Sequence, residues 1–212
     1  YMVSMGFGYP LGIDLPGEKR GMIPNDKYYD KNYNGSWNGL TIISIAIGQG
    51  EVTATPLQIA NLGATIANRG YFITPHVVKE VEDEALDSLY TSKRYTKVRE
   101  EHYETIVQGM RAAVTGGTCR AANLPGLDVC GKTGTAQNRG KDHSVVMGFA
   151  PMNNPKIAVA VYVENGGWGA TYGVPIGALI MEKYLNGELS AQSELKAQDI
   201  QMRRIDYGIH ER

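Results

Sequence analysis

Residues 125–138 read PGLDVCGKTGTAQN, and this stretch decides the fold because it can form either a loop or a strand. From Gly126 to Thr133 it matches the G-x-x-x-x-G-K-[ST] pattern of a phosphate-binding loop. Such a loop follows a buried strand and opens a helix at its lysine. Here no buried apolar strand precedes Gly126, and Gly134 follows Lys132 too closely for a stable first helical turn. We therefore favour a strand through Lys132 over a nucleotide site.

The residues after this strand predict an antiparallel meander. The apolar segments HSVVMGFAP (143–151) and KIAVAVYVEN (156–165) are separated only by short polar connections. Connections this short join antiparallel neighbours, because a parallel crossover needs a dozen or more residues. The segment 174–187 then predicts a helix, with Gly187 just beyond its end. Together these elements predict an α+β fold in which an antiparallel sheet is flanked by helices.

The first half of the chain carries clear helix signals in two places. Thr55 followed by Gln58 three residues later forms a capping box, which predicts a helix that stops before Gly70. A second helix is predicted from about residue 100 to residue 114, with its apolar residues on one face. Between them, residues 71–83 alternate like a strand, whereas the glycine- and proline-rich residues 6–40 predict an irregular segment.

Composition excludes several classes of function. The 212 residues carry a formal net charge of −1 and no run of more than two basic residues, so nucleic acid is not an expected partner. The longest apolar run is far shorter than the roughly 20 residues of a membrane helix. Cys119 and Cys130 are widely separated and the histidines are scattered, so neither a metal nor another cofactor is predicted. Free thiols are favoured for the two cysteines, with a disulfide left open.

Four segments, in this order and spacing, resemble the C-terminal portion of the transpeptidase domain of class B penicillin-binding proteins: residues 47–78, 109–122, 127–138 and 143–167. The opening FGYPLGIDLPGEKRGMIP (7–24) is more similar to the cell-elongation branch of that family than to its division-specific branch. The resemblance covers about residues 1–187, which we assign to the transpeptidase domain. Residues 188–212 are assigned to a polar C-terminal tail.

The resemblance implies part of the β-lactamase/transpeptidase-like fold, namely the half that carries the K-T-G strand. It implies D,D-transpeptidation, in which a serine attacks the D-alanyl-D-alanine end of a peptidoglycan stem peptide and passes the acyl group to an amine. β-Lactams would acylate the same serine, and no cofactor is required. The implied location is the periplasmic face of the bacterial inner membrane, with cell-elongation membrane proteins as partners.

The family uses three motifs, S-x-x-K, S-x-N and K-T-G, and only the K-T-G at residues 132–134 is convincing in this chain. The one S-x-x-K match, at residues 193–196, lies in the polar tail. The S-x-N match at residues 36–38 follows the GIDLPGE segment, where the family has it before, and we interpret it as chance. The chain opens without a start-like beginning, so we expect the nucleophile upstream of Tyr1 and no catalysis by the chain alone.

Carried over residue by residue, the K-T-G motif implies four site residues. Lys132 would supply a positive charge for catalysis, while Thr133 and Thr135 would bind the substrate or β-lactam carboxylate. Gly134 would let a substrate backbone approach, and the N–H of Thr135 would contribute to an oxyanion hole. Strict alternation places Lys132 and Thr133 on opposite faces, so both can serve one site only on a twisted or edge strand. The resemblance also implies that residues 48–50 have a structural role and close a loop near this site, although an ordinary turn is the default interpretation of these residues.

Two other interpretations stay open at this point. A penicillin-recognising relative could bind β-lactam or peptidoglycan as a sensor without turnover. A relative of the β-lactamases would need a hydrolytic base, which the sequence does not reveal. A K-T-G triplet alone could also arise by chance, because three residues carry little information.

Overall fold

The computed structural model describes residues 1–205, which form helices and antiparallel strands as an α+β fold. The helices are α1 Asp26–Tyr33, α2 Gly39–Ala46, α3 Pro56–Ala67, α4 Glu101–Thr115, α5 Gly173–Asn186 and α6 Ala191–Met202. The strands are β1 Tyr71–Phe72, β2 Arg94–Tyr95, β3 Cys130–Ala136, β4 His143–Ala150 and β5 Ile157–Val163. None of these helices is long and apolar enough to cross a membrane.

The main sheet has the order β3-β4-β5, and both pairs are antiparallel. Lys132 lies opposite Met147, and Met147 lies opposite Ala160, so the K-T-G residues are in the middle of a strand. The predicted meander is confirmed, and the phosphate-loop interpretation is excluded because no helix follows Lys132. Cys119, which precedes β3, and Cys130, the first residue of β3, are both buried free thiols.

One face of this sheet is covered by α5. Gly177 lies so close to the sheet that a Cβ there would be 3.2 Å from Cγ1 of Val146. The close approach lets apolar side chains of α5 and the sheet form one continuous core. Its buried members include Val146, Val159, Val161, Val174, Ala178 and Met181.

The opposite face is covered by α3 and α4, but only over part of its length. Phe149 and Cys130 are fully buried there against side chains of both helices. Gly63 of α3 lies against Met147 and Ala158, with a Cβ position 3.2 Å from Cγ of Met147. Beyond Met147, towards the start of β4, Val145 and Tyr162 are not buried, and an open cleft separates them from the first turn of α3.

Gln58 has a larger role than the predicted capping box. The box itself is confirmed, since Thr55 Oγ1 accepts from the N–H of Gln58 at 3.1 Å and Gln58 Oε1 accepts from the N–H of Thr55 at 3.0 Å. Nε2 of the same side chain donates to the carbonyls of Gly6, Tyr9 and Arg20 at 3.0–3.1 Å. Gln58 is fully buried, so it joins the N-terminal segment to α3.

The prediction of an irregular segment over residues 6–40 is wrong for its last part. Asn25 caps α1 by accepting from the N–H of Tyr28 at 2.9 Å, and Asn34, at φ 49°, ends that helix. Asn38 and Thr41 form a capping box that starts α2. The abundant turn residues of this segment are therefore helix caps in part.

The strand predicted over residues 71–83 is also wrong beyond its first two residues. Tyr71–Phe72 pairs with β2, and further along Val81 forms an isolated bridge with Glu84. Pro75 has no N–H to donate to a ladder, so the alternating pattern after it does not continue as a strand.

The polar segment 188–212 contains α6, which the sequence did not predict. Ser190 caps this helix, and its own N–H donates to Glu182 Oε1 of α5 at 3.1 Å. α6 packs on α5, and residues 206–212 lie outside the described residues. The assignment of residues 1–187 and 188–212 to a domain and a tail stays a prediction.

Candidate active site

The K-T-G residues lie on an outer strand of the sheet. β3 pairs with β4 on one side, and no strand of residues 1–205 pairs along its other side. Two carbonyls of β3 are instead contacted by side chains: Thr133 O accepts from Lys132 Nζ at 2.8 Å, and Thr135 O accepts from Gln49 Nε2 at 3.3 Å. The open side of β3 therefore has acceptors that an extended peptide could use.

Lys132 provides an exposed positive charge on this strand. Its ammonium forms no ion pair with a carboxylate of residues 1–205, and its described hydrogen bond is to the neighbouring backbone carbonyl. A charge held near the strand by a neutral acceptor remains available to an anionic ligand.

Thr133 is positioned by a residue that the sequence analysis missed. Its Oγ1 lies 3.0 Å from Oγ1 of Thr118, which follows α4 in the turn TGGT. Thr133 pairs with Val146 across the two strands, so its side chain lies on the face covered by α5. Lys132 pairs with Met147, so its side chain lies on the face covered by α3. The two side chains thus lie on opposite faces as alternation requires, and only the outer position of β3 leaves both accessible.

A cleft of about 620 Å³ opens on the α3 face next to the end of β3. Gly134, Val145 and Tyr162 form one row across the sheet and line it, so the missing side chain at Gly134 keeps the cleft open. Of the four predicted site residues, Gly134 and Thr135 line this cleft, while Lys132 and Thr133 lie outside its wall. The opposite wall consists mainly of residues 47–56, namely Ile47, Gly48, Gln49, Val52, Thr53, Ala54 and Pro56.

The loop that carries Gln49 reaches the strand because two glycines flank it in the left-handed region. Gly48 has φ 76° and Gly50 has φ 66°, a conformation that costs other residues more than glycine. The backbone N–H of Gln49 donates to Ser44 O at 3.1 Å, which continues the end of α2. The expectation that this loop closes near the K-T-G strand is confirmed by the bond from Gln49 to Thr135.

Glu51 anchors the same loop to α1. Its carboxylate accepts hydrogen bonds from the hydroxyls of Tyr29, at 2.8 Å, and Tyr33. Burial, followed by the bond to Glu51, raises the pKa of Tyr29 to about 12. The two tyrosine hydroxyls hold the pKa of Glu51 below its ordinary value. The carboxylate is thus ionised over the neutral pH range and holds the loop against α1.

Neither serine motif places a nucleophile at this cleft. Ser193 is 1% exposed and lies on α6, next to the helix that covers the other face of the sheet. Ser36 lies in the turn between α1 and α2, where its N–H donates to Tyr33 O at 2.8 Å. Neither residue lines the cleft beside Gly134.

Comparisons with known proteins agree with this geometry. A family model described as the penicillin-binding protein transpeptidase domain matches residues 1–184. The peptidoglycan D,D-transpeptidase MrdA of Acinetobacter baumannii is 34% identical over 81% of this chain, and its Haemophilus influenzae counterpart is 34% identical over 89%. The chain spans 28% and 32% of the lengths of these two relatives.

Solved structures show the same fold at similar identity. Pseudomonas aeruginosa PBP2 in complex with WCK 5153 is 35% identical, with a TM-score of 0.75 over 90% of this chain and 43% of that chain. Helicobacter pylori PBP2 in complex with MreC is 27% identical, with a TM-score of 0.75 over 88% of this chain and 35% of that chain. The predicted fold class is confirmed by these matches.

Proposed function

The chain belongs to the penicillin-binding protein transpeptidase domain family, and from this premise we propose that it is part of a peptidoglycan D,D-transpeptidase that cross-links stem peptides through a serine acyl-enzyme. The observation that carries the proposal is the outer strand β3, which bears Lys132, Thr133 and Gly134 beside an open cleft. Such a strand can align a peptide as one more strand, which suits a reaction at a peptide terminus.

The reaction needs two acyl transfers. A serine Oγ bonds to the carbonyl carbon of the penultimate D-alanine, the peptide C–N bond breaks, and terminal D-alanine leaves with the serine's proton. The amine of a second stem peptide then attacks the ester, and the serine oxygen regains a proton as the new amide forms. A nucleophile of this kind requires an adjacent base and a donor for the developing oxyanion.

The four predicted residues have distinct parts in this proposal. Lys132 supplies positive charge at the acylation site, and the hydroxyls of Thr133 and Thr135 bind the terminal carboxylate. Gly134 leaves room for the substrate backbone, and the N–H of Thr135 stabilises the oxyanion. The outer position of β3 supports these assignments, because no strand of residues 1–205 pairs along its open side.

We propose that the nucleophilic serine does not lie within these 212 residues. Ser193 and Ser36, the serines of the two partial motifs, both lie away from the cleft. We therefore propose that the 212 residues alone are not acylated and that the complete protein is.

Similar structures also support partner proteins for this activity. Helicobacter pylori PBP2 was solved with MreC, and another similar structure, 31% identical, is of a peptidoglycan synthase complex that coordinates polymerisation and crosslinking. We propose that the complete protein works with comparable elongation partners at the periplasmic face of the inner membrane. A sensor that binds β-lactam without turnover is the alternative, since it would need the same strand.

Labelling of the complete protein with fluorescent penicillin tests the site. We expect stable labelling that is strongly reduced in Lys132→Ala, because the positive charge at the acylation site is lost. Lys156→Ala is the matched control, since Lys156 is also exposed but lies at the far end of the sheet, just before β5. Labelling that does not depend on Lys132 would refute the site assignment.

Turnover of a D-alanyl-D-alanine stem peptide then separates the enzyme from the sensor. The transpeptidase releases D-alanine and forms a cross-linked product when an acceptor amine is supplied. A protein that is labelled by penicillin but releases no D-alanine from any stem peptide would be the sensor.

A further inference from the structure

One backbone carbonyl that a substrate strand would use as a hydrogen-bond acceptor already has a donor in this structure. A peptide that extends the sheet at β3 must donate an N–H to an outward carbonyl of that strand. The carbonyl of Thr135 is outward, because its partner is a side chain from the opposite wall of the cleft: Gln49 Nε2 at 3.3 Å. The carboxamide of Gln49 therefore takes the place that a ligand amide would take.

The chain holds Gln49 in this position from several directions. Its backbone N–H is bonded to Ser44 O, and Gly50 after it lies at φ 66° with a Cβ position 3.1 Å from Ser44 Oγ. Further along, Thr53 exchanges two backbone hydrogen bonds with Met22, at 2.8 and 3.0 Å. With Glu51 bonded to two tyrosines of α1, the loop is fixed on both sides of Gln49.

We propose that Gln49 is a specificity-determining residue of this site: its carboxamide satisfies the Thr135 carbonyl in the free protein, and a ligand that offers its own N–H replaces it there. The inference rests on the proposed function, since it concerns which acyl donors reach the serine. A partly buried carbonyl without a partner is unfavourable, so the exchange of one N–H for another retains the bond. For water, or for a ligand without a suitably placed N–H, the Thr135 carbonyl is already hydrogen-bonded to Gln49.

The inference distinguishes two classes of β-lactam. A penicillin with an acylamino group carries an amide N–H and must compete with Gln49 for the Thr135 carbonyl. A carbapenem has no acylamino group, so removal of the carboxamide removes no competitor for it. Because the net contribution of one such hydrogen bond is modest, the competition corresponds to roughly a two- to tenfold change in rate.

The test measures the second-order acylation rate of the complete transpeptidase with an acylamino penicillin and with a carbapenem. Gln49→Ala and Gln49→Met both remove the donor, and the second keeps the length of the side chain and the packing of the loop. We expect roughly two- to tenfold faster acylation by the penicillin in both variants, and an unchanged rate with the carbapenem. Gln108→Ala is the control, because Gln108 is an exposed glutamine whose carboxamide bonds to Glu104 on α4.

Three outcomes would overturn the inference. An unchanged penicillin rate in Gln49→Met would show that the carboxamide does not compete. Equal changes with both β-lactams would show that Gln49 only supports the loop. In either case a wild-type protein that is acylated leaves the proposed function standing, whereas a wild-type protein that neither β-lactam acylates overturns both proposals.

Discussion

The two faces of the three-stranded sheet differ in how completely they are covered. On the α5 face, buried side chains such as Val146 and Met181 form one continuous apolar core. On the α3 face the packing stops at Met147, and the row of Gly134 borders the cleft instead. The helix α2, at the same end of the molecule, is apolar but buries none of its residues.

The covered face contributes to the stability of the fold, whereas the open face is available for ligand binding. The covered face buries side chains of β4 and β5 against α5, and Cys130 at the start of β3 is buried on the other face against α4. The uncovered part of the α3 face leaves the edge of β3 and the cleft accessible to a ligand. Thr133 and Lys132 are adjacent in sequence, yet one belongs to each face. Because β3 has side chains on both faces, it can be held rigidly by packing and still be accessible to a ligand. A preorganised site requires both properties.

The largest expected effect tests the covered face. Met181→Ala removes a side chain that is 3% exposed and leaves a cavity under the sheet, so we expect the free energy of unfolding to fall by about 2–5 kcal/mol. Urea unfolding measures it. Met202→Ala is the matched control, because Met202 is 79% exposed and its truncation removes little packing. An equal loss of unfolding free energy in Met181→Ala and Met202→Ala would show that the core under the α5 face does not contribute more to stability than an exposed site.

A second change acts where the covered face meets β3. A Cβ at Gly169 would lie 2.5 Å from Val145 O and 2.6 Å from Gly134 O, so Gly169→Ala must displace the backbone of the site strand. We expect a loss of about 1–3 kcal/mol in urea unfolding. Faster amide hydrogen exchange in β3 should accompany it. Gly140→Ala, whose nearest contact would be an ordinary 3.6 Å, should show neither change.

The loop on the open side can be followed by its tyrosine titration. Burial and Glu51 raise the pKa of Tyr29 to about 12 from an ordinary value of 10.0. Since the neutral phenol is favoured in the folded protein, this contribution to stability is present below about pH 10 and is lost as the pH rises through about 12. We expect Glu51→Gln to lower the pKa of Tyr29, because a negative neighbour and acceptor is removed.

The ultraviolet absorbance of tyrosinate measures this titration. The most alkaline step should disappear in Tyr29→Phe and move to lower pH in Glu51→Gln. Tyr184→Phe is the control, because Tyr184 is 63% exposed on α5 and does not contact the loop. A step that stays unmoved in Glu51→Gln would mean that the carboxylate does not hold the loop in solution.

The smallest expected effect is on α2. Ile43 is 60% exposed, so Ile43→Ser should change the free energy of unfolding by less than about 0.5 kcal/mol. Binding of an apolar dye should decrease, since an exposed apolar side chain has been removed. Ile66→Ser on α3 is the buried counterpart, and its much larger loss of stability would separate the packed part of the α3 side from the exposed helix α2. A large loss at Ile43 would show that α2 is covered.

The second half of the chain was predictable because its structure depends on short-range signals. Short connections required antiparallel strands, and Gly187 ended α5 as expected. The first 50 residues were not, because their conformation is set by distant contacts such as Glu51 with Tyr29. In α2 the β-branched Ile42 and Ile43 favour a strand, but the Asn38 capping box and the following turn produce a helix.

In the candidate site, too, some features were predictable from local sequence signals and others depend on contacts between distant residues. The strand through Lys132 followed from the absence of a helix signal after it and from the short turns, whereas its outer position was only one of two conditions, a twisted or an edge strand, for Lys132 and Thr133 to share a site. The contact of Thr118 with Thr133 joins two segments through a turn whose conformation no local pattern indicates. The bond from Gln49 to Thr135 spans 86 positions, so only the folded chain reveals which atom the glutamine reaches.

Gln58 has a consequence for the order in which the chain folds. The carbonyls that it binds lie 38 to 52 positions before it, so these bonds close long loops, whose entropy must be lost before the bonds form. α3, by contrast, starts from a local capping box. We therefore expect α3 to form early and the N-terminal segment to assemble onto it late, with the Gln58 side chain as its template. Substitution of this one residue would then act on the kinetics of the first twenty residues together.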